Sequence, residues 1–190
     1  PQSRVDLADM TVSNPAFTGT ARVEAGALRD VPTPPERREW SLAIHGGSGV
    51  IERGDLTPEM EAAYRASLQA ALAAGSDVLE NGGSSVDAVE ATLRILEDDP
   101  LFNAGRGAVF DAEGRNQLDA AIMDGATLNA GAVAAVSTTR HPVTLARAVM
   151  EKSRHVLLSG EGADQFAREQ GVEQVDPSYF RTEHRWRQIE

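Results

Sequence analysis

The chain has 190 residues, a formal net charge of −11 and no cysteine. This length is sufficient for one domain with its own core. The acidic balance argues against a nucleic-acid or anionic-membrane partner, because both bind basic surfaces. The lack of cysteine excludes disulfides, thiol nucleophiles and cysteine-held zinc within this chain. No apolar run approaches the roughly 18 residues that a membrane helix needs.

The first 39 residues are rich in proline and show no sustained hydrophobic period. We expect 1–39 to be an N-terminal extension, partly extended and partly mobile. A removed signal peptide would leave such a segment, and so would an expression boundary. The location of the protein therefore stays open between the cytoplasm and the periplasm.

A strand followed by a helix is predicted next. Residues 40–45 are expected to form a short strand that ends at Gly46 and Gly47. Thr57 and Pro58 predict the start of a helix, with threonine as the N-cap and proline at the first helical position. Residues repeating every four positions predict its buried stripe: Met60, Tyr64, Leu68 and Leu72.

The middle of the chain predicts a second helix and a set of strands. Ser85 is the expected cap of this helix, and Pro100 ends it. Its apolar face is predicted to carry Val86, Val89, Leu93 and Leu96. Residues 107–111 and 118–124 predict a hairpin with an Ala-Glu-Gly-Arg turn, and 127–137 predicts one or two further strands.

The last third predicts a helix over 142–152, a strand over 155–159 and a short helix over 161–170, which Gly171 ends. Residues 182–190 are polar, compatible with a helix and lack a closing cap. This open end suggests a longer parent chain. No repeat and no internal linker divides the region between the extension and this segment.

His45, Gly46 and Gly47 follow the first predicted strand. Glycine N–H groups at a strand end can form an oxyanion pocket, and the alternative is a plain tight turn. A Gly-x-Ser-x-Gly nucleophile elbow is absent from the chain, which argues against an esterase that uses this motif. The four histidines have no metal-ligand spacing and are expected to be structural or at the surface: His45, His141, His155 and His184.

Three acids, Glu97, Asp98 and Asp99, occupy the predicted end of the second helix. Negative charge is unfavourable at that pole of the helix dipole, and free carbonyl groups gather there. A hard cation held by those carbonyls would relieve both problems. The alternative is that the acids point into water, with Arg106 as a partner.

Asn103 is a polar residue in a compact loop with small neighbours. Its amide is either a functional group or a cap for its own backbone. Asp119 and Asp124 lie in predicted apolar strands. We expect both of these aspartates to hold neighbouring loops through backbone N–H groups rather than to act in a site.

Five segments occur in one order along residues 40–180: AIHGGSG (43–49), LEDDPLFNAGRGAVF (96–110), LDAAIMDGATLNAGAVAAV (118–136), PVTLARAVME (142–151) and HVLLSGEGA (155–163). Together they resemble the plant-type L-asparaginase and isoaspartyl peptidase family of N-terminal nucleophile hydrolases. The resemblance implies an α/β (α+β) fold that is part of a four-layer αββα sandwich. A second, β chain completes that sandwich.

The family's self-cleaving precursor yields α and β chains, and a threonine at the start of the β chain is the nucleophile. This chain resembles the α subunit, with 40–180 as its part of the domain and 181–190 as the start of the linker between subunits. The resemblance implies an (αβ)2 heterotetramer. It places Asn103 beside the threonine and Gly46 and Gly47 in the loop that approaches it.

The family's structural sodium loop matches 96–106. The implied ligands are main-chain oxygens of Leu96, Glu97, Asp99, Phe102, Ala104 and Arg106. No organic cofactor is expected.

The implied reaction is hydrolysis of L-asparagine to L-aspartate and ammonia, and cleavage of β-aspartyl (isoaspartyl) dipeptides, through an acyl-enzyme. Two alternatives are a glycosylasparaginase-like amidase, whose substrate amide carries a sugar, and a non-catalytic binding domain with the same fold.

Overall fold

The computed structural model describes residues 40–47 and 56–189. Its regular elements, in chain order, are α1 (Pro58–Glu80), α2 (Ser85–Asp98), β1 (Leu118–Met123), β2 (Ala130–Val136), α3 (Pro142–Lys152), β3 (Leu157–Ser159), α4 (Gly160–Glu169), a 3₁₀ helix (Pro177–Phe180) and α5 (Glu183–Trp186). The expected extension over 1–39 lies outside the described residues. Among the helices described, none is long and apolar enough to cross a membrane.

Local capping residues set the starts of the first two helices. The Thr57 hydroxyl accepts the Met60 N–H at 3.2 Å, which confirms the predicted start of α1. The prediction for α2 was wrong by one residue, because Ser84 is the cap. Its hydroxyl accepts the Asp87 N–H while the Asp87 carboxylate accepts the Ser84 N–H, so the two residues form a capping box.

Small residues form the contact between α1 and α2. The predicted stripe on α1 is confirmed only in part: Tyr64 and Leu68 are half-buried and pack on a core cluster, but Met60 is 39% exposed. The fully buried positions of the helix are Ser67, Ala71 and Gly75. A methyl group on Gly75 would overlap the Thr92 hydroxyl of α2. The two backbones therefore approach more closely than a stripe of leucines would allow.

The predicted strand at 40–45 is not formed in the described part of the chain. Exposed residues alternate there with half-buried Trp40, Leu42 and Ile44, as expected for an extended segment. The Leu42 side chain reaches Gly75 of α1, so side-chain packing holds the segment. A strand assignment needs a backbone partner, and no described strand pairs with this segment.

The three strands form one sheet in the order β1-β2-β3. Strands β1 and β2 are antiparallel, and β2 and β3 are parallel. The predicted strand at 107–111 was wrong, since only Phe110 pairs, in a single bridge with Asn116. Gly107 instead donates its N–H to the carbonyl of Phe180, 73 positions later, so this N–H is not used in the sheet.

The helices α3 and α4 cover one face of the sheet. The core between them contains Val133, Val136, Leu145, Val149 and Phe180, each no more than 2% exposed. The opposite face carries the next residues along each strand, which are more exposed: Ala121, Met123, Ala132 and Leu157. Met123 and Leu157 are 58% and 55% exposed, so this face is apolar and uncovered by the described elements.

Candidate active site

The loop after α2 turns back on itself within ten residues. The Arg106 N–H donates to the carbonyl of Glu97 at 2.7 Å, which closes the loop. A methyl group on Gly105 would overlap that same carbonyl, and Gly107 has a φ of +108°. The loop therefore needs both glycines, one for close approach and one for the left-handed backbone.

Phe102 is buried and Asn103 is exposed in this loop. Phe102 is 7% exposed and packs with Ala71 and Leu96, edge-on to Tyr64 at 5.9 Å between ring centroids. Asn103 is exposed, and its amide makes no hydrogen bond to another described residue. The buried phenyl ring thus anchors the loop and leaves the amide available to a partner beyond the described residues.

The His-Gly-Gly segment contacts the Phe102 ring through Gly46. A methyl group on Gly46 would lie 3.4 Å from the Phe102 ring and 3.3 Å from Leu68, so no larger residue fits without a shift. Gly47 has a φ of +108°, and its N–H donates to Nδ1 of His45 at 3.1 Å. The structure therefore brings together the two segments that were predicted to line the site.

The first of the three acids does not face water. Glu97 is 3% exposed, and its carboxylate accepts the Val143 N–H at 2.8 Å and lies 3.3 Å from Nδ1 of His141. Burial raises the pKa of Glu97, and the contacts with His141 and Val143 oppose that rise only in part. Glu97 lies at the C-terminus of α2, where the helix dipole disfavours negative charge. Its carboxylate contacts the N-terminus of α3, where the dipole favours negative charge.

The other two acids also have partners within the protein. Asp98 accepts hydrogen bonds from Tyr179 and, in a bidentate pair, from Arg140. Partial burial raises the pKa of Asp98, but these hydrogen bonds outweigh it and bring the pKa below its ordinary value. Asp99 accepts the Ser67 hydroxyl of α1 and the Leu101 N–H. The alternative that the acids point into water, with Arg106 as their partner, was wrong.

The backbone of this loop has the chemistry of a cation site. Leu96 is four residues before Pro100, which has no N–H to satisfy the Leu96 carbonyl. A methyl group on Gly107 would lie 2.6 Å from the Phe102 oxygen and 2.7 Å from the Pro100 oxygen, so carbonyls converge there. No described group of three or more His, Asp or Glu side chains has a metal-binding arrangement. Neutral carbonyls therefore fit a hard cation better than side chains do.

The remaining polar candidates have structural positions. Asp119 accepts the Ala135 N–H, and Asp124 accepts the Ala126 N–H and the Thr127 hydroxyl, which confirms that both hold neighbouring backbone. Of the four histidines, only one is buried, next to Glu97; the exposed ones are His45, His155 and His184.

Sequence analysis missed Arg140, His141 and Tyr179 as partners of the acids. One signal could have found the first two, because they directly precede Pro142, the first residue of α3. Positive charge is unfavourable at that end of a helix unless an acid compensates it. Tyr179 has no comparable signal, since it lies in a short 3₁₀ helix far along the chain.

Comparison with known proteins gives the family. The family model described as "Asparaginase" matches residues 38–190. The chain belongs to this asparaginase family. It is 50% identical over 148 residues to an isoaspartyl peptidase of Salmonella typhimurium, covering 78% of this chain and 47% of that protein. The resemblance drawn from the five sequence segments is thereby confirmed.

Other relatives have related names. The chain is 49% identical over 148 residues to a Dictyostelium discoideum protein named "Putative isoaspartyl peptidase/L-asparaginase", covering 78% of this chain and 43% of that protein. It is 42% identical over 149 residues to a plant-type L-asparaginase of Pyrococcus furiosus, with 78% and 47% covered. The chain thus spans about half the length of these relatives.

Proposed function

We propose that this chain is the α subunit of a self-cleaving threonine amidohydrolase. Its substrates would be L-asparagine, giving L-aspartate and ammonia, and β-aspartyl dipeptides. The observation that carries the proposal is that the His-Gly-Gly segment and the loop after α2 meet. Gly46 packs against the buried Phe102 ring, and Asn103, the next residue of the loop, is exposed. The names of the relatives, isoaspartyl peptidase and plant-type L-asparaginase, support the substrate class.

In this mechanism the nucleophile is the first threonine of a second, β chain, and its α-amine takes up the hydroxyl proton. The threonine oxygen attacks the substrate's side-chain carbonyl, ammonia or the dipeptide's amine leaves, and water hydrolyses the resulting ester. The Asn103 amide has donors and an acceptor with which to orient that threonine. The lack of a side chain on Gly46 leaves room for the approach.

The uncovered face of the sheet supports a second layer. Ala121, Ala132 and Leu157 lie side by side across the three strands, and Met123 extends the same apolar surface. Small residues allow another sheet to pack closely there, as in an αββα sandwich, and a patch of this kind favours association. We propose that the β chain covers it and that two αβ units form the (αβ)2 assembly.

This proposal predicts the behaviour of the isolated chain. Expressed alone, it should associate through the uncovered face and hydrolyse neither substrate, while co-expression with the β chain should restore a defined assembly. Size-exclusion chromatography and an ammonia-release assay check both points. A monodisperse monomer with measurable turnover would contradict it.

We also propose a structural Na⁺ on the loop, held by the main-chain oxygens of Leu96, Glu97, Asp99, Phe102, Ala104 and Arg106. The ion would neutralise the partial negative charge of these carbonyls and rigidify the loop. Replacing sodium by a large organic cation should lower the thermal unfolding midpoint, whereas a divalent-metal chelator should leave it unchanged. Loss of activity with the chelator and its recovery with zinc would rule out the proposed sodium site.

The deciding experiment is a substrate comparison on the co-expressed αβ protein. L-asparagine, a β-aspartyl dipeptide and N-glycosylated asparagine are incubated at equal concentration, and release of aspartate is followed. We expect turnover of the first two. Preference for the glycosylated substrate would indicate a glycosylasparaginase-like amidase, and the absence of any turnover would indicate a non-catalytic binding domain. N-terminal sequencing of the β chain should give threonine.

A further inference from the structure

Three side chains hold the start of the Asn103 loop without touching Asn103. Tyr179 donates its hydroxyl to Oδ1 of Asp98 at 2.7 Å. Arg140 donates to both oxygens of the same carboxylate, at 3.0 and 3.1 Å. Its guanidinium also lies 5.5 Å from the centroid of the Tyr179 ring, so each of the three groups contacts the other two. Arg140 pairs in addition with Glu173 at 2.8 Å, and Nε2 of His141 lies 3.7 Å from Asp98.

The end of the loop is held by the same short segment. Gly107 donates its N–H to the Phe180 carbonyl at 3.1 Å. The Arg106 guanidinium lies 5.7 Å from the centroid of the Tyr179 ring. The 3₁₀ helix Pro177–Phe180 thus contacts both ends of the loop, and Arg140 ties it to the start of α3 through Asp98.

We propose that Asp98, Arg140 and Tyr179 form a clamp that positions the Asn103 loop for catalysis, an inference that rests on the proposed function. The Asp98 and Arg140 side chains are 36% and 32% exposed. An ion pair with that exposure contributes little to overall stability. A bidentate arginine–carboxylate pair nevertheless fixes direction as well as distance. Its main effect is therefore on where the loop lies.

A second arginine supplies the matched control. Arg147 of α3 also bridges to α2, with Asp87 at 2.7 Å and Glu90 at 2.8 Å, and it pairs with Glu151 on its own helix. Its side chain is 24% exposed. It joins α3 to the first half of α2, away from the loop, so its loss should weaken the contact between these helices without moving Asn103.

The test compares Arg140→Ala, Arg147→Ala and Tyr179→Phe in the co-expressed αβ protein. A displacement of about 1 Å at a reacting group costs on the order of 10²-fold in rate. We therefore expect Arg140→Ala to lower kcat by roughly 10- to 100-fold with KM within about threefold of wild type. Tyr179→Phe should lower kcat by a few fold, and Arg147→Ala should leave it unchanged. Arg140→Lys keeps the charge without the bidentate geometry and should restore only part of the rate.

Amide hydrogen exchange of peptides covering the loop is the second readout. It should rise in Arg140→Ala and stay at the wild-type level in Arg147→Ala. Unchanged kcat and unchanged exchange in Arg140→Ala would overturn the clamp, as would equal losses of kcat in both arginine variants. If wild-type protein has no turnover, the proposed function fails, and hydrogen exchange still decides whether these residues hold the loop.

Discussion

The two segments that meet around Phe102 are held in very different ways. The loop after α2 is fastened by Glu97 to α3, by Asp98 to the 3₁₀ helix and by Asp99 to α1. The segment at Gly46 and Gly47 is exposed; within the described part of the chain it is held by apolar contacts and by a hydrogen bond that the Gly47 N–H donates to Nδ1 of His45. One side of the candidate site is therefore rigid by itself, and the other depends on its surroundings.

This difference shows how an unfavourable sequence feature can be useful. Three acids at the C-terminus of a helix oppose its dipole, yet each has a partner on a different element. Together these contacts tie the loop to α3, to the 3₁₀ helix and to α1. Among the described residues the glycine segment has no such anchors, so its position is sensitive to whatever packs over it.

The largest effect should come from breaking the most buried anchor. Glu97→Ala removes the carboxylate from His141 and from the start of α3. Loss of one member of a buried pair costs roughly 3–5 kcal/mol. We expect the free energy of unfolding of the αβ protein, measured with denaturant at one protein concentration, to fall by that order.

The control for this change is Glu61→Ala. Glu61 pairs with Arg65 on the exposed side of α1. Exposed pairs of this kind contribute about 0.3–0.5 kcal/mol. Equal destabilisation by the two substitutions would show that Glu97 is not an anchor.

A smaller effect is expected from Gly105→Ala. The added methyl group would overlap the Glu97 carbonyl oxygen and push the loop open. Overpacking of this kind typically costs about 1–3 kcal/mol. The same titration measures it, and a variant as stable as wild type would mean that the loop can relax without cost.

The smallest stability effect is expected on the weakly held side. Gly47→Ala meets no atom within 4 Å, so only the left-handed backbone opposes it. That conformation costs about 1–2 kcal/mol for a residue with a side chain. Because the segment is exposed, it should shift locally and show a smaller loss than this. If Gly47→Ala lowered the free energy of unfolding more than Gly105→Ala does, the glycine segment would be the more tightly held side of the site.

Local signals were enough to predict α1 to α4 and the three strands of the sheet. Thr57 with Pro58 and the apolar run of β1 act within a few residues, so a sequence reveals them. The anchors act at long range: Glu97 and His141 are 44 positions apart, and Asp98 and Tyr179 are 81 apart. No local pattern encodes such a pairing. For the same reason, 107–111 could be mistaken for a strand, since the Gly107 partner lies in the 3₁₀ helix.

The position of Asn103 could be predicted as part of a motif, but its free amide could not. A loop asparagine usually caps its own backbone. Here the left-handed Gly107 and the buried Phe102 ring fold the loop, so the asparagine side chain makes no hydrogen bond within the described structure. A polar side chain that does no structural work in a tightly held loop is well placed to act on a substrate or a nucleophile.

We propose that the tightly held loop presents Asn103 to the reaction. The most direct measurement is the turnover of L-asparagine by Asn103→Ala in the co-expressed αβ protein, with self-cleavage followed on denaturing gels. Loss of one polar contact to reacting groups typically costs on the order of 10²-fold in rate. We expect a folded, assembled variant with the wild-type unfolding midpoint that loses most of its turnover or stalls in self-cleavage. Normal cleavage and normal turnover would contradict it and leave Asn103 without a role in catalysis.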